Sequence, residues 1–266
     1  MTPTGWLTRD GLRLAVHDAD GGGRPVIFQH GLCGDARQTA EAFPADARFR
    51  RVTLECRGHG QSEFDPAPSL DTSARDVATL AESLGAPLPV GGISMGAAIA
   101  LRLAVTRPEL VSHLILVRPA WDADGAPPNL APNMEVGELL AAMPADVARD
   151  RFMASATAAR LAQESLDNLA SLMGFFTREP LRETATLLTS LSRQPLGLGT
   201  DDLAKITIPV LVCETAEDAI HPAALARSLT SKIPDARLVT LPPKGRGKPV
   251  HLAALHSAIT HFLTET

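Results

Sequence analysis

Hydrophobic positions in this 266-residue chain fall into short compact runs that alternate with longer, helix-spaced ones. Residues 12–19, LRLAVHDA, alternate apolar and polar as a half-exposed strand does. PVIFQHG (25–31) and RRVTLECRG (50–58) are compact runs ended by glycine, the pattern of buried strands. Between them DARQTAEAF reads as a short helix. Residues 69–85 predict a fuller one, with Ala74, Val77, Leu80, Ala81 and Leu84 on one face and Gly85 as its stop. LPVGGIS is the next strand, MGAAIALRLAVTRP the next helix, and VSHLILVRP a further strand. Near the C-terminus come the strand IPVLVCET (208–215), a helix from about Pro222, the strand ARLVTLP (236–242), and a last helix through HLAALHSAITHFL. Such alternation predicts parallel βαβ units, a doubly wound, mostly parallel sheet with helices on both faces.

One stretch breaks the alternation. From Trp121 to Gly199 the chain opens with a proline-rich loop and then carries only helical patterns. The expected organisation is therefore a core formed by 1–120 and 200–266, with 121–199 inserted as an all-helical cap. Met134, Met143, Met153 and Met173 lie in the insertion with Phe152, Phe175 and Phe176. Methionine-rich faces adapt to varied partners, so this face either roofs a pocket or packs the inserted helices together.

Composition narrows the classes. The net charge of −5 argues against a nucleic-acid surface. No apolar run reaches a membrane span, since Arg102 interrupts the longest. Cys33, Cys56 and Cys213 are few, odd in number and far apart, so neither a disulfide framework nor a metal site is expected. With an N-terminus unlike a signal peptide, a cytoplasmic protein is the expectation. Oligomeric state is left open.

The candidate chemistry centres on Ser94. It stands in Gly92-Ile93-Ser94-Met95-Gly96, between a predicted strand and a predicted helix. Ser94 is either an ordinary helix N-cap or a nucleophile on a strained strand-to-helix turn, where a Cβ at either glycine would clash. A serine nucleophile needs a base, and the base an orienting acid. Asp218 follows directly on the strand IPVLVCET, where open α/β sheets place functional groups. Glu214 and Glu217 lie nearer the strand, and Asp122 and Asp124 are a weaker position. Among later histidines, His221 is only three residues beyond Asp218, whereas His251 follows the last strand and its loop. His251 is the expected base, with His256 in reserve. Oxyanion donors are expected from the Met95 N–H at the helix start and from Leu32, or second Cys33, in the loop HGLCGD. Trp121, where sheet meets insertion, is the aromatic expected to touch substrate. Lys244, Arg246 and Lys248 read as a solvated basic loop.

HGLCG (30–34), CRGHGQS (56–62), GISMG (92–96), TAEDAIHP (215–222) and His251 occur in an order that resembles the α/β-hydrolase superfamily over nearly the whole chain. The resemblance implies the α/β-hydrolase fold, a Ser94–His251–Asp218 triad, a helical cap, no cofactor and no metal. Two departures stand out: Val250 rather than glycine precedes His251, and the acid-to-histidine interval is long. The implied activity is hydrolysis of a small carboxylic ester or lactone through an acyl-enzyme, with a small molecule as the partner. Carbon–carbon bond hydrolysis and cofactor-free haloperoxidation are alternatives on the same scaffold. A triad-bearing ligand receptor is the alternative of another class.

Overall fold

The structure is a computed structural model whose described residues are 1–123 and 125–265. Its centre is an eight-stranded sheet. The strands are β1 (Gly5–Arg9), β2 (Leu12–Asp18), β3 (Arg24–Gln29), β4 (Phe49–Leu54), β5 (Leu88–Ile93), β6 (Val111–Val117), β7 (Val210–Thr215) and β8 (Ala236–Leu241). They lie in the order β1-β2-β4-β3-β5-β6-β7-β8. β2 runs antiparallel to both β1 and β4, and every pairing from β4 to β8 is parallel. This is the expected mostly parallel, doubly wound sheet.

The central strands are buried on both faces, and successive side chains point alternately to two helical layers. Ile27, Leu114, Leu116, Val210 and Val212 join the cluster packed by α2 (Leu70–Ser83), α3 (Met95–Thr106) and α10 (Ala223–Lys232). Their neighbours Val26, Phe28, Ile115, Val117, Leu211 and Cys213 join the opposite cluster, packed by α1 (Ala36–Ala42) and α11 (Lys248–Glu265). Strand order reverses at β3, which has β4 on one side and β5 on the other. Open α/β sheets bind ligands in the crevice beyond such a switch point.

β1 is an edge strand that the hydrophobic pattern did not predict. Its residues are alternately half-buried and exposed, and Trp6 lies outside beneath the Arg13 guanidinium, 4.3 Å from the ring centre. The hairpin closes through Asp10 and Gly11, both at positive φ (48° and 80°), the chemistry of a tight two-residue turn.

Between β6 and β7 the chain forms α4 (Ala131–Ala142), α5 (Ala145–Met153), α6 (Ala156–Glu164), α7 (Leu166–Phe175), α8 (Leu181–Ser192) and the short α9 (Thr200–Leu203), and among the described residues there no strand. These helices bury a cluster of their own around Val136, Phe152, Leu161, Leu172 and Leu188. α4 and α8 approach closely at Gly137, where a Cβ would stand 2.8 Å from Thr189 Cγ2 and 3.0 Å from Ala185 O. Met143 and Met173 pack against this cluster, and Met153 is exposed. Arg178 ties the segment to the sheet, donating to Cys33 O at 3.0 Å, Gly58 O at 3.2 Å and Thr184 Oγ1 at 2.7 Å. Among the described residues no helix is long and apolar enough to cross a membrane.

Candidate active site

Ser94 sits between the end of β5 and the start of α3 with φ 55° and ψ −109°. A non-glycine residue held there stores on the order of 1–3 kcal/mol of strain, which the surroundings must impose. They do so by close backbone packing. A Cβ on Gly92 would stand 2.6 Å from both Gln29 O and Gly96 C. One on Gly96 would collide with the Gln29 carbonyl oxygen and lie 2.8 Å from His30 O. The elbow is also pinned by Ser94 N–H donating to Val117 O at 3.0 Å. Although the Ser94 carbonyl accepts the first helical bond, from Ala98 N–H at 3.1 Å, its side chain makes no capping hydrogen bond. Among the described residues the hydroxyl has no hydrogen-bond partner.

The loop after β3 forms the facing wall. His30 Nε2 accepts from Cys56 N–H at 3.0 Å, so its Nδ1 carries the proton and donates to Gly31 O at 2.9 Å. Burial lowers the proton affinity of this imidazole, which keeps it neutral as a structural prop. His59 stacks on it, with ring centres 4.9 Å apart. Beyond them, Gly31 donates to Gln38 Oε1 at 2.6 Å, and Leu32 and Cys33 border a cavity of about 180 Å³ that Ser94 also lines. Met95 is the first residue of α3, where backbone N–H groups have no intrahelical acceptor. Burial pushes the Cys33 thiol up to about 12, so it is not a thiolate at neutral pH.

The opposite wall comes from β6, β7 and β8. Asp218 lies just past β7 and is nearly fully buried. Its Oδ2 accepts from Arg118 Nε at 2.7 Å. Its Oδ1 accepts from the His221 backbone N–H at 3.0 Å and faces His221 Nδ1 at 2.8 Å. Burial works against ionisation, but the charges of His221 and Arg118 and these N–H bonds outweigh it, holding Asp218 well below the usual carboxylate range. An ionised carboxylate only accepts, so the proton resides on His221 Nδ1 and the Nε2 lone pair is free. Arg118 Nη2 also lies 3.1 Å from Nδ1. Two donors do not bond, so Arg118 acts on the imidazole through its charge. Burial lowers the His221 pKa; Asp218 opposes that, and Arg118 and Lys244 reinforce it.

Arg118, His221 and Lys244 line the same cavity as Ser94. Nothing in the sequence around Arg118 marks it as a site residue. It follows directly on β6 with a positive φ of 48° and donates its backbone N–H to Cys213 O at 2.8 Å, a kink that turns the guanidinium onto Asp218. Lys244, read as part of a solvated loop, is bonded to Asp167 of α7 at 2.9 Å.

Two expected residues are placed elsewhere. His251 is not bonded to Asp218 and does not border the cavity. α11 begins at Lys248, three residues ahead of the expected start, so His251 falls inside its first turn and donates from Nδ1 to Pro242 O at 2.8 Å. The residue after β8 that reaches the cavity is Lys244. His256, the reserve, is bonded to Glu41 O at 2.8 Å, away from the cavity. Trp121 is a core residue, 1% exposed, whose Nε1 donates to Gln194 O at 2.9 Å. Phe175, not Trp121, is the aromatic at the cavity.

The other carboxylates have partners of their own. Glu214 is held by Arg227 at 2.9 Å and 3.0 Å, and Asp122 by Ser228 at 2.6 Å and Lys232 at 2.9 Å. Asp124 lies outside the described residues. No group of three or more His, Cys, Asp or Glu among the described residues could hold a metal ion.

Residues 24–246 match the family model for the alpha/beta hydrolase fold. The chain is 30% identical over 239 residues to a Mycobacterium tuberculosis H37Rv protein named "Putative non-heme bromoperoxidase BpoC", covering 86% of this chain and 89% of that one. It is likewise 30% identical over 237 residues to "Putative carbamate hydrolase RutD" of Azorhizobium caulinodans, covering 84% of each. The crystal structure of an enol-lactonase from Burkholderia xenovorans LB400 superposes with a TM-score of 0.74 at 21% identity, over 98% of this chain and 100% of that one.

Proposed function

The chain belongs to the alpha/beta hydrolase family, and we propose that it is a serine hydrolase cleaving a small carboxylic ester or lactone through an acyl-enzyme on Ser94. One observation carries the reading. A serine with no side-chain capping bond, on a strained elbow, shares a cavity with a histidine whose Nδ1 proton faces a buried, ionised aspartate. The size of the cavity supports a small substrate, since about 180 Å³ falls below the about 300 Å³ at which drug-sized ligand sites begin.

In this mechanism His221 Nε2 takes the Ser94 proton as Oγ attacks the carbonyl carbon. Asp218 holds the imidazole tautomer and stabilises the imidazolium. The backbone N–H groups of Met95 and Leu32 receive the oxyanion. His221 returns its proton to the leaving oxygen as the carbonyl–oxygen bond breaks. It then activates the water that releases the acid and regenerates Ser94. His221 replaces His251 as the base because it is the histidine at the cavity and the one on Asp218. The helices of 121–199 close the site from above, through Leu172 and Phe175.

The test is fluorophosphonate labelling with an ester and lactone panel on four proteins. Ser94→Ala is expected to lose labelling and turnover. His221→Gln should fall by a factor of about 100 or more, the range of a lost general base, and His251→Gln should remain within a few-fold of wild type. Loss in His251→Gln with activity kept in His221→Gln would return the base to His251. The similarity to a protein named a bromoperoxidase favours one second reading, in which peroxide rather than water opens the acyl-enzyme. Bromination that requires both acetate and peroxide, and that Ser94→Ala abolishes, would support it.

A further inference from the structure

We propose that Arg178 is a positioning residue for the oxyanion hole, holding the loop after β3 in the strained turn that presents the Leu32 N–H. The inference rests on the acyl-enzyme reading, in which Leu32 and Met95 receive the oxyanion. Arg178 lies in the connection between α7 and α8 and does not itself border the cavity.

The turn places a residue where its side chain is unwelcome. Gly34 N–H donates to Gly31 O at 2.9 Å, which closes a four-residue turn with Leu32 and Cys33 at its centre. Cys33 has a φ of 58°, whereas Leu32 is not among the residues at positive φ. That is the pattern of a type II turn, whose third position normally takes glycine because a Cβ strains it. The strained turn aims a donor. Gly31 O also accepts from His30 Nδ1 at 2.9 Å, so its peptide plane is held from two sides. In a trans peptide the N–H points opposite to the carbonyl, so the Leu32 N–H is turned away from both donors. It meets no acceptor among the described residues, and Leu32 borders the cavity that Ser94 lines.

Arg178 offsets the strain. Its Nε donates to Cys33 O at 3.0 Å, gripping the carbonyl of the left-handed residue itself. The guanidinium is fixed through its other arms, with Nη2 donating to Gly58 O at 3.2 Å and Nη1 to Thr184 Oγ1 at 2.7 Å. Thr184 is fully buried and donates its own proton to Arg178 O at 2.9 Å, so the two residues hold each other. No carboxylate pairs with Arg178 among the described residues. Its planar fork therefore serves to position oxygens of three separate segments rather than to neutralise a charge. One of those segments is the oxyanion loop, and the grip comes from the helices of 121–199. The hole is thus complete only while those helices are seated.

The experiment measures fluorophosphonate labelling rates and p-nitrophenyl acetate turnover in a double-mutant cycle between Arg178 and Cys33. Arg178→Met removes the grip, and Cys33→Gly removes the strain that the grip offsets. Alone, Arg178→Met is expected to lower kcat and labelling about tenfold or more, a fraction of the about 100- to 1,000-fold lost when an oxyanion donor is removed outright. KM should stay within about twofold, because the positioned N–H acts chiefly as the oxyanion forms. With Cys33→Gly also present, the same change at Arg178 should cost about threefold or less. Cys33→Ala keeps the Cβ and removes only the thiol, so it should give no such recovery. Arg178→Lys keeps the charge without the fork and should fall between wild type and Arg178→Met, which keeps the test decisive if the methionine variant does not fold. Equal losses from Arg178→Met with and without Cys33→Gly overturn the positioning role. So do recovery by Cys33→Ala, or kcat and labelling unchanged in both Arg178 variants. A Cys33→Gly protein that no longer labels also overturns it, since glycine suits the turn better than cysteine. Turnover persisting in Ser94→Ala, or a wild type that does not label, instead overturns the acyl-enzyme reading on which it rests.

Discussion

The two walls of the cavity are built by different physics. On the β3–β5 side, geometry is imposed by backbone contact: Gly92 and Gly96 let the elbow press on the ends of β3, and Ser94 is held at φ 55°. The residues of that wall that line the cavity carry no formal charge. On the β6–β7 side, geometry is imposed by charge: Arg118 grips one oxygen of Asp218, His221 the other, and the loop curls around the carboxylate. A wall fixed by sterics fails when an atom is added. A wall fixed by ion pairing fails when a charge is removed at constant volume.

Asp218→Asn should do the greatest damage. The change preserves shape but leaves the buried Arg118 guanidinium without its anion, and breaking a buried pair from one side costs about 3–5 kcal/mol. Chemical denaturation at pH 7 should report that loss, and turnover should fall with it. A loss under about 1 kcal/mol, the usual ceiling for an exposed pair, would mean that charge does not hold this wall. On the other wall, Gly96→Ala adds one methyl group against the Gln29 and His30 carbonyls. The expected cost is about 1–3 kcal/mol, the range of a core overfilled by a single group. Fluorophosphonate labelling should slow as the elbow moves. If Gly96→Ala keeps wild-type stability and labelling, the elbow is not sterically fixed and the contrast between the walls dissolves.

The same division decides what could be read from the sequence. The β3–β5 wall was legible because its constraint is local: glycine, serine and glycine at fixed spacing between an apolar run and a helical one. The doubly wound sheet was legible for a similar reason, since buried parallel strands announce themselves as continuous apolar runs. β1 was not, because an edge strand with Trp6 outside buries too little to show that pattern. Asp218 stood out by its position at a strand end, but its partners did not. His221 stands only three residues on, too near in sequence to read as the base. Yet an aspartate that accepts the N–H three residues on makes a turn that folds the imidazole back onto the carboxylate, and D-A-I-H before proline carries that signal. Arg118 gave no signal. Its contact spans 100 residues and depends on a left-handed kink in a residue that is not glycine. His251 misled because a start of α11 three residues early turns a side chain from the loop edge into the helix.

The smallest expected effect sharpens the charged wall most, because it separates holding Asp218 from tuning His221. The groups facing His221 are Asp218 on its own loop, Arg118 at the end of β6 and Lys244 after β8. Asp218 favours the imidazolium, and the two cations oppose it. General-base catalysis needs the neutral ring, so activity fails as pH falls through the His221 pKa. With burial, Arg118 and Lys244 all lowering that pKa, wild type should stay active below the ordinary histidine value of about 6.5. Arg118→Gln removes one cation and frees Asp218 to act on the imidazole alone. Both changes favour protonation, so the acid limb should move to higher pH, by on the order of one unit for a single close charge. The pH dependence of fluorophosphonate labelling measures this without a known substrate. Arg118→Lys, which keeps the charge but loses the fork, should leave the limb near its wild-type position while lowering the plateau. A limb that stays fixed in Arg118→Gln while the rate drops would make Arg118 a brace for Asp218 with no influence on the base.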